Sequence, residues 1–246
     1  MTDDAIILIP ARMGSSRLPG KPLADIAGLP MIVHVLNRAR EADIGPVLVA
    51  AAEEAIAEAV RAAGGEAVLT DPALPSGSDR IAAALDAHDP RRRYGVVVNL
   101  QGDLPAMDPA DIRHCAEALR RTGADIATLA AEIRDPEEIA NPNVVKAVAP
   151  LDREPVAMAT DFVRELPGDA EGPFFHHIGI YAYRRPALER FVSMPPSPRE
   201  RERRLEQMRA LDNGMTIAVA RVAHAPFGVD APEDLERARH ILGHGT

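Results

Sequence analysis

Cysteine occurs once and tryptophan not at all in these 246 residues. The single thiol, Cys115, rules out an internal disulfide and any multi-cysteine metal site. It falls in the helical spacing Ile112-Cys115-Ala116-Leu119, where a small core residue is expected. Three Tyr and five Phe are the whole aromatic complement, too few for a base-stacking platform on single strands. Positive charge is also short. With 28 basic against 37 acidic residues the net charge is −9, which disfavours nucleic acid as a partner. No uncharged apolar run approaches the roughly 20 residues that cross a membrane, so no membrane partner is expected. The acidic start Met1-Thr2-Asp3-Asp4 leads straight into a strand-like run, unlike a signal peptide, and a cytoplasmic protein is expected. Scarcest among the cations is lysine: Lys21 and Lys146 stand alone among 28 basic residues. A chain that writes nearly every cation as Arg hints that Lys serves where a compact, mobile ammonium is wanted.

What is present is apolar and rhythmic. Hydrophobic residues make up 46%, ample for a packed core. Ala5-Ile6-Ile7-Leu8-Ile9 reads as a strand buried on both faces. A helix over 30–42 follows, then strand 47–49, helix 53–63, strand 67–69, helix 79–88 and strand 96–100, with a further helix beginning at Asp108-Pro109. This βαβα alternation predicts an α/β fold: a mostly parallel, Rossmann-like sheet with helices on both faces. After about residue 125 the pattern changes to strands at 126–129, 144–148 and 178–183 joined by irregular links. One domain over 1–246 carrying an inserted β-rich lobe at about 125–200 is expected. A charged helix over 199–211, a strand at 216–222 and a closing helix from 230 to 242 complete the reading.

Ligands of open parallel sheets bind beyond the carboxyl ends of the strands. The loop after the first strand, residues 10–23, puts Arg12, Arg17 and Lys21 there, with Gly14 and Gly20 freeing the backbone and Pro19 and Pro22 stiffening it. Two guanidinium forks and one movable ammonium suit a triphosphate. The loop is neither a GxGxxG fingerprint nor a P-loop. Asp103, in Gln101-Gly102-Asp103, faces the same edge and is a natural Mg²⁺ ligand beside phosphate oxygens. Asp230-Ala231-Pro232-Glu233 reads locally as a capping box. Ser76-Gly77-Ser78-Asp79-Arg80 suits either close approach to a ribose or base, with Arg80 reaching an oxygen, or a helix N-cap. His176-His177 suits hydrogen bonding to a carboxylate or hydroxyl, though a His pair alone proves little. Glu206 and Gln207 fall in the charged helix.

Taken together, residues 10–23, Gln101-Gly102-Asp103, Asn141-Pro142-Asn143-Val144-Val145-Lys146, Leu205-Glu206-Gln207-Met208-Arg209 and Gly228-Val229-Asp230-Ala231-Pro232-Glu233-Asp234-Leu235-Glu236 resemble the 3-deoxy-manno-octulosonate (Kdo) cytidylyltransferases, the CMP-Kdo synthetases. The resemblance implies CTP and Kdo as substrates, CMP-Kdo and pyrophosphate as products, Mg²⁺ as cofactor, a role in lipopolysaccharide supply, and a homodimer built through the inserted lobe. It assigns Arg12, Lys21 and Asp103 to catalysis, and Asp103 and Asp230 to the metal. It assigns Ala11, Arg17, Ser76, Gly77 and Arg80 to the nucleotide, and Gln101, His177, Glu206 and Gln207 to the sugar acid. Against the family pattern, Ala73-Leu74-Pro75 stands where Asp-His-Gln is usual, Ala51-Ala52 where Asp-Thr is usual, and Ala157 to Asp161 lacks a usual Arg that Arg164 would have to replace. Two alternatives stay open: a cytidylyltransferase for another acceptor, and a non-catalytic CTP-binding relative.

Overall fold

The computed structural model describes residues 4–14, 17–168 and 170–243. Residues 1–3 of the acidic start, and Ser15 and Ser16 of the cationic loop, lie outside the described residues. The chain forms two compact units, Met1–Arg113 with Pro226–Thr246, and His114–Ala225. The expected lobe of about 125–200 falls inside the second.

In the first unit run β1 (Asp4–Ala11), a 3₁₀ turn (Lys21–Leu23), β2 (Asp25–Ile26), β3 (Leu29–Pro30), α1 (Met31–Glu41), β4 (Val47–Ala51), α2 (Glu54–Ala62), β5 (Glu66–Leu69), α3 (Gly77–His88) and β6 (Tyr94–Asn99). The unit boundary falls within α4 (Pro109–Thr122). Strand order is β5-β4-β1-β6, and all three pairings are parallel. Ile6 to Ile9 have no exposed surface, as the unbroken apolar run requires of a strand with neighbours on both edges and helices on its faces. The chain steps outward from β1 to β4 and β5, then returns to β6 on the other side of β1. That reversal makes a crevice at the carboxyl ends of β1 and β6.

The second unit holds β7 (Ile126–Glu132), α5 (Pro136–Ala140), β8 (Lys146–Val148), β9 (Val156–Met158), β10 (Asp161–Val163), β11 (Phe175–Arg184), α6 (Arg185–Ser193), α7 (Pro198–Arg203), α8 (Met208–Asp212) and β12 (Ile217–Val222). Here antiparallel pairing prevails: β11 with β7 and β8, β10 with β8, and β9 with β12, while β12 runs parallel to β7. Cys115 is fully buried. At Pro226 the chain rejoins the first unit and ends its described part in α9 (Pro232–Gly243).

One expected helix is two. The charged run 199–211 breaks at Arg204, which takes the left-handed conformation (φ 54°, ψ 48°) between α7 and α8. Ser197 and Glu200 form a capping box that starts α7. The Glu200 carboxylate also receives Arg209 Nε at 2.9 Å and Nη2 at 2.7 Å. In a straight helix nine residues span about 13.5 Å, beyond the reach of that fork. The bidentate, largely buried ion pair therefore requires the break, and it puts Glu206 and Gln207 in a turn rather than on a helix face.

Candidate active site

The loop that leaves β1 is folded on itself before it reaches the crevice. Gly20 adopts φ +72°, a conformation that costs glycine nothing, and its N–H donates to Met13 O at 3.2 Å. Glu53 accepts the Met13 N–H at 3.0 Å, a tether that the sequence reading missed, because nothing in the local pattern ties residue 53 to residue 13. Opposite, Gly102 passes so close to β1 that a Cβ would stand 2.8 Å from Pro10 O. No other residue fits there without moving a backbone.

A cavity of about 500 Å³ opens between these segments, lined by Ala11, Arg12, Arg17 and Lys21 from the loop, Ser76, Gly77 and Arg80 from the start of α3, and Gln101 and Asp103 beyond β6. Asp230 joins the group from the far end of the chain. Lys21 Nζ lies 3.0 Å from Asp103 Oδ2 and 3.1 Å from Asp230 Oδ1; Arg17 Nη2 takes the other Asp230 oxygen at 3.1 Å. Burial by itself lowers the lysine pKa, but the charges and hydrogen bonds of Asp103 and Asp230 outweigh it and hold it above its ordinary value. Apolar packing brings Asp230 here. Val229, Leu235 and Ala238 cluster with Ile26 and Met31, and Leu18 and Ala24 of the loop pack against them. Val229 N–H also donates to Asp103 O at 2.9 Å.

The capping reading of Asp230 is corrected. Its side chain serves cations, and Asp234 caps instead, accepting from the Asp230 and Ala231 N–H groups at 3.0 and 2.9 Å. Ser76 is the N-cap of α3, its Oγ accepting from Asp79 N at 3.1 Å. Arg80 lines the cavity but is only 2% exposed. Its Nη1 donates to Thr70 Oγ1 at 2.6 Å and Asp71 O at 3.2 Å, so it braces the loop that follows β5. Desolvation lowers its pKa.

A second set gathers in the second unit. His177, expected ahead of a strand, lies within β11 and is 8% exposed. Burial, and then the neighbouring His176, push its pKa down to about 3, so the ring is neutral. Its Nε2 is 3.0 Å from Thr128 Oγ1, and the Tyr181 ring lies 5.6 Å away. Burial foremost, then the charges of Tyr183 and Glu206, raise the Tyr181 pKa, which puts Glu206 in the same neighbourhood. Gln207 is 6% exposed, and its Nε2 has no hydrogen-bond partner among the described residues. Thr128 and Tyr181 were not legible as site neighbours; the sole signal is a hydroxyl in the otherwise apolar run Ile126-Ala127-Thr128-Leu129. Arg164 spends its guanidinium on the carbonyls of Pro142, Arg203 and Arg204 at 3.1, 2.8 and 3.2 Å.

Two carboxylates sharing one cation beside an arginine-lined cavity at the reversal of a parallel sheet suit nucleoside triphosphate chemistry. In keeping with this, residues 6–217 match the family model described as Cytidylyltransferase. The chain is 60% identical over 237 residues to a 3-deoxy-manno-octulosonate cytidylyltransferase of Parvibaculum lavamentivorans, covering 96% of this chain and 92% of that one. It is 61% identical over 244 residues to the protein of the same name from Rhodospirillum centenum, covering 98% and 94%. Among solved structures it resembles a CMP:2-keto-3-deoxy-manno-octonic acid synthetase complexed with CTP, with TM-score 0.89, 37% identity and coverage of 98% and 99%. The chain belongs to the 3-deoxy-manno-octulosonate cytidylyltransferase family.

Proposed function

We propose that the protein transfers a cytidylyl group from CTP to the anomeric hydroxyl of Kdo, giving CMP-Kdo and pyrophosphate. The observation that carries this reading is the joint grip of Asp103 and Asp230 on one ammonium, 3.0 and 3.1 Å from their oxygens. Two carboxylates focused on a common point suit Mg²⁺, which takes one or two carboxylates and completes its shell with phosphate oxygens and water. No group of three or more His, Cys, Asp or Glu placed to hold a metal ion is present among the described residues, so the substrate would have to supply the remaining ligands. When bound, Mg²⁺ supplies charge neutralisation at the α-phosphate and acidifies the attacking hydroxyl.

The protein's own groups do the rest. Arg12, Arg17 and Lys21 bind the triphosphate, and Lys21, released from the carboxylates, follows the charge that grows on the departing pyrophosphate. Ala11, Ser76 and Gly77 offer a surface without bulk for the nucleoside, held in shape by Arg80. Gln101, His177, Glu206 and Gln207 orient the sugar acid. In-line attack then depends on positioning rather than on a covalent intermediate with the protein.

A homodimer formed through the second unit is part of this proposal, supported by the exposed apolar side chains Val148 and Met158. So are a cytoplasmic location and the supply of activated sugar for lipopolysaccharide. No helix among the described residues is long and apolar enough to cross a membrane. The test is pyrophosphate release with CTP, Mg²⁺ and Kdo. Release that requires all three supports the reading. Thermal stabilisation by CTP without pyrophosphate, under any acceptor, replaces it with a nucleotide-binding role.

A further inference from the structure

The ladder between β7 and β11 is irregular beside His177. Ile178 pairs with Leu129, and pairing resumes with Tyr181 opposite Thr128, so β11 carries extra residues at that point. Such a bulge turns backbone carbonyls out of the ladder. Two of them meet the Thr128 hydroxyl: Oγ1 is 2.7 Å from Ile180 O and 3.1 Å from Ile178 O. His177 Nε2 is the third neighbour, at 3.0 Å. Thr128 has no exposed surface.

One hydroxyl carries one proton, and carbonyl oxygens only accept. An oxygen–oxygen separation of 2.7 Å is that of an O–H···O bond; without the proton between them the two oxygens would face each other lone pair to lone pair. The hydroxyl proton therefore goes to Ile180 O, with Ile178 O as the longer second acceptor. Thr128 Oγ1 is then left only as an acceptor toward the imidazole, and His177 must donate through Nε2. In a neutral ring, a proton on Nε2 leaves Nδ1 as a bare lone pair. No described residue bonds to Nδ1. The edge-on Phe162 ring, 4.9 Å away at 69°, and Tyr181 restrain the plane of the imidazole.

We propose that Thr128 is a positioning residue that fixes His177 in the Nε2–H tautomer, so that Nδ1 accepts an O–H from a hydroxyl of the sugar acid. This rests on the assignment of His177 to the sugar acid made above. It gives that residue a direction: His177 reads a hydroxyl donor, and its lone pair repels a carboxylate.

The decisive measurement is a long-range ¹H–¹⁵N correlation spectrum of the full-length protein labelled with ¹⁵N-histidine, at neutral pH. The His177 signals are assigned by their loss in His177→Asn. Protonated Nε2 with unprotonated Nδ1 is expected in the wild type; the opposite tautomer, or a charged ring, overturns the proposal. Thr128→Val is expected to lose that pattern and raise KM for Kdo about tenfold, the loss of one oriented hydrogen bond. The same variant is expected to keep kcat within about threefold and stabilisation by CTP unchanged. Thr128→Ser should restore the tautomer and KM together. A Thr128→Val enzyme with wild-type tautomer and KM overturns the proposal. Should that variant not fold, the wild-type spectrum and the serine variant decide. If the tautomer is as expected but His177→Asn leaves KM for Kdo unchanged, the assignment of His177 to the sugar acid falls.

Discussion

The two lysines of this chain sit in different units and in opposite kinds of place. Lys21, in the first unit, rests on two carboxylates in an open cleft. Lys146, in the second, is 1% exposed and donates to two neutral carbonyls, Asn141 O at 2.8 Å and Arg164 O at 2.9 Å. The electrostatics diverge accordingly. Net attraction raises the Lys21 pKa, whereas desolvation lowers that of Lys146, and the charge of Glu165 offsets it only in part. A cation held by charges can be exchanged for another cation or drawn off by an anion. A cation held by backbone dipoles is a pin. It ties the Asn141 segment to the Arg164 segment.

That contrast is open to attack, most forcefully at the acidic pair. Asp103→Asn is expected to cut kcat at least a hundredfold, roughly 2.7 kcal/mol of lost transition-state stabilisation, with a nearly unmoved melting temperature. Pyrophosphate release and a thermal melt read the two quantities side by side, and a near-normal rate would remove the metal assignment. Lys146→Met should do the reverse. The carbonyls of Asn141 and Arg164 lose the ammonium they share, at about 1–3 kcal/mol of stability by urea denaturation, while CTP affinity stays as it was.

Acid sharpens the contrast further. His177 is held neutral, its pKa near 3, whereas an unfolded histidine titrates near 6.5. Below that value the unfolded chain takes up a proton that the folded one refuses. Stability thus falls as pH drops from 6.5 toward 3, by about 1 kcal/mol over the first full unit below 6.5 and by a slope approaching about 1.4 kcal/mol per unit after that. His177→Gln should flatten that slope in denaturation midpoints measured between pH 7 and 5. The smallest effect belongs to Arg17→Ala. Its pair with Asp230 is 63% and 47% exposed, so stability should change by less than about 1 kcal/mol, while KM for CTP rises several-fold in steady-state assays.

The first unit was legible in the sequence because its signals are local and strong. The run Ala5-Ile6-Ile7-Leu8-Ile9 has one reading, and the Gly/Pro loop with three cations can only follow it. The second unit was less so. β9 and β10 are three residues each, too short for any period to declare itself, and the left-handed turn at Arg204 hides inside alternating charge. Asp230 shows the deeper difficulty. A box of Asp and Glu before a helix is a sound capping signal, yet Asp234 does the capping, because the fold requires Asp230 elsewhere. Arg80 is the converse case: a cation beside the cleft whose Nη1 is engaged by Thr70 and Asp71, which no spacing reveals.

The bond between Lys21 and Asp230 spans 209 positions of chain, and this has a consequence for manufacture. At a translation rate of about 5–20 residues per second, roughly ten to forty seconds pass on the ribosome between the first partner and the second. Until then the β1 loop has its cations but only one of its two acids. Under the proposed function, a chain that stops short of residue 230 lacks one of the two carboxylates that would hold Mg²⁺ and is expected to release no pyrophosphate.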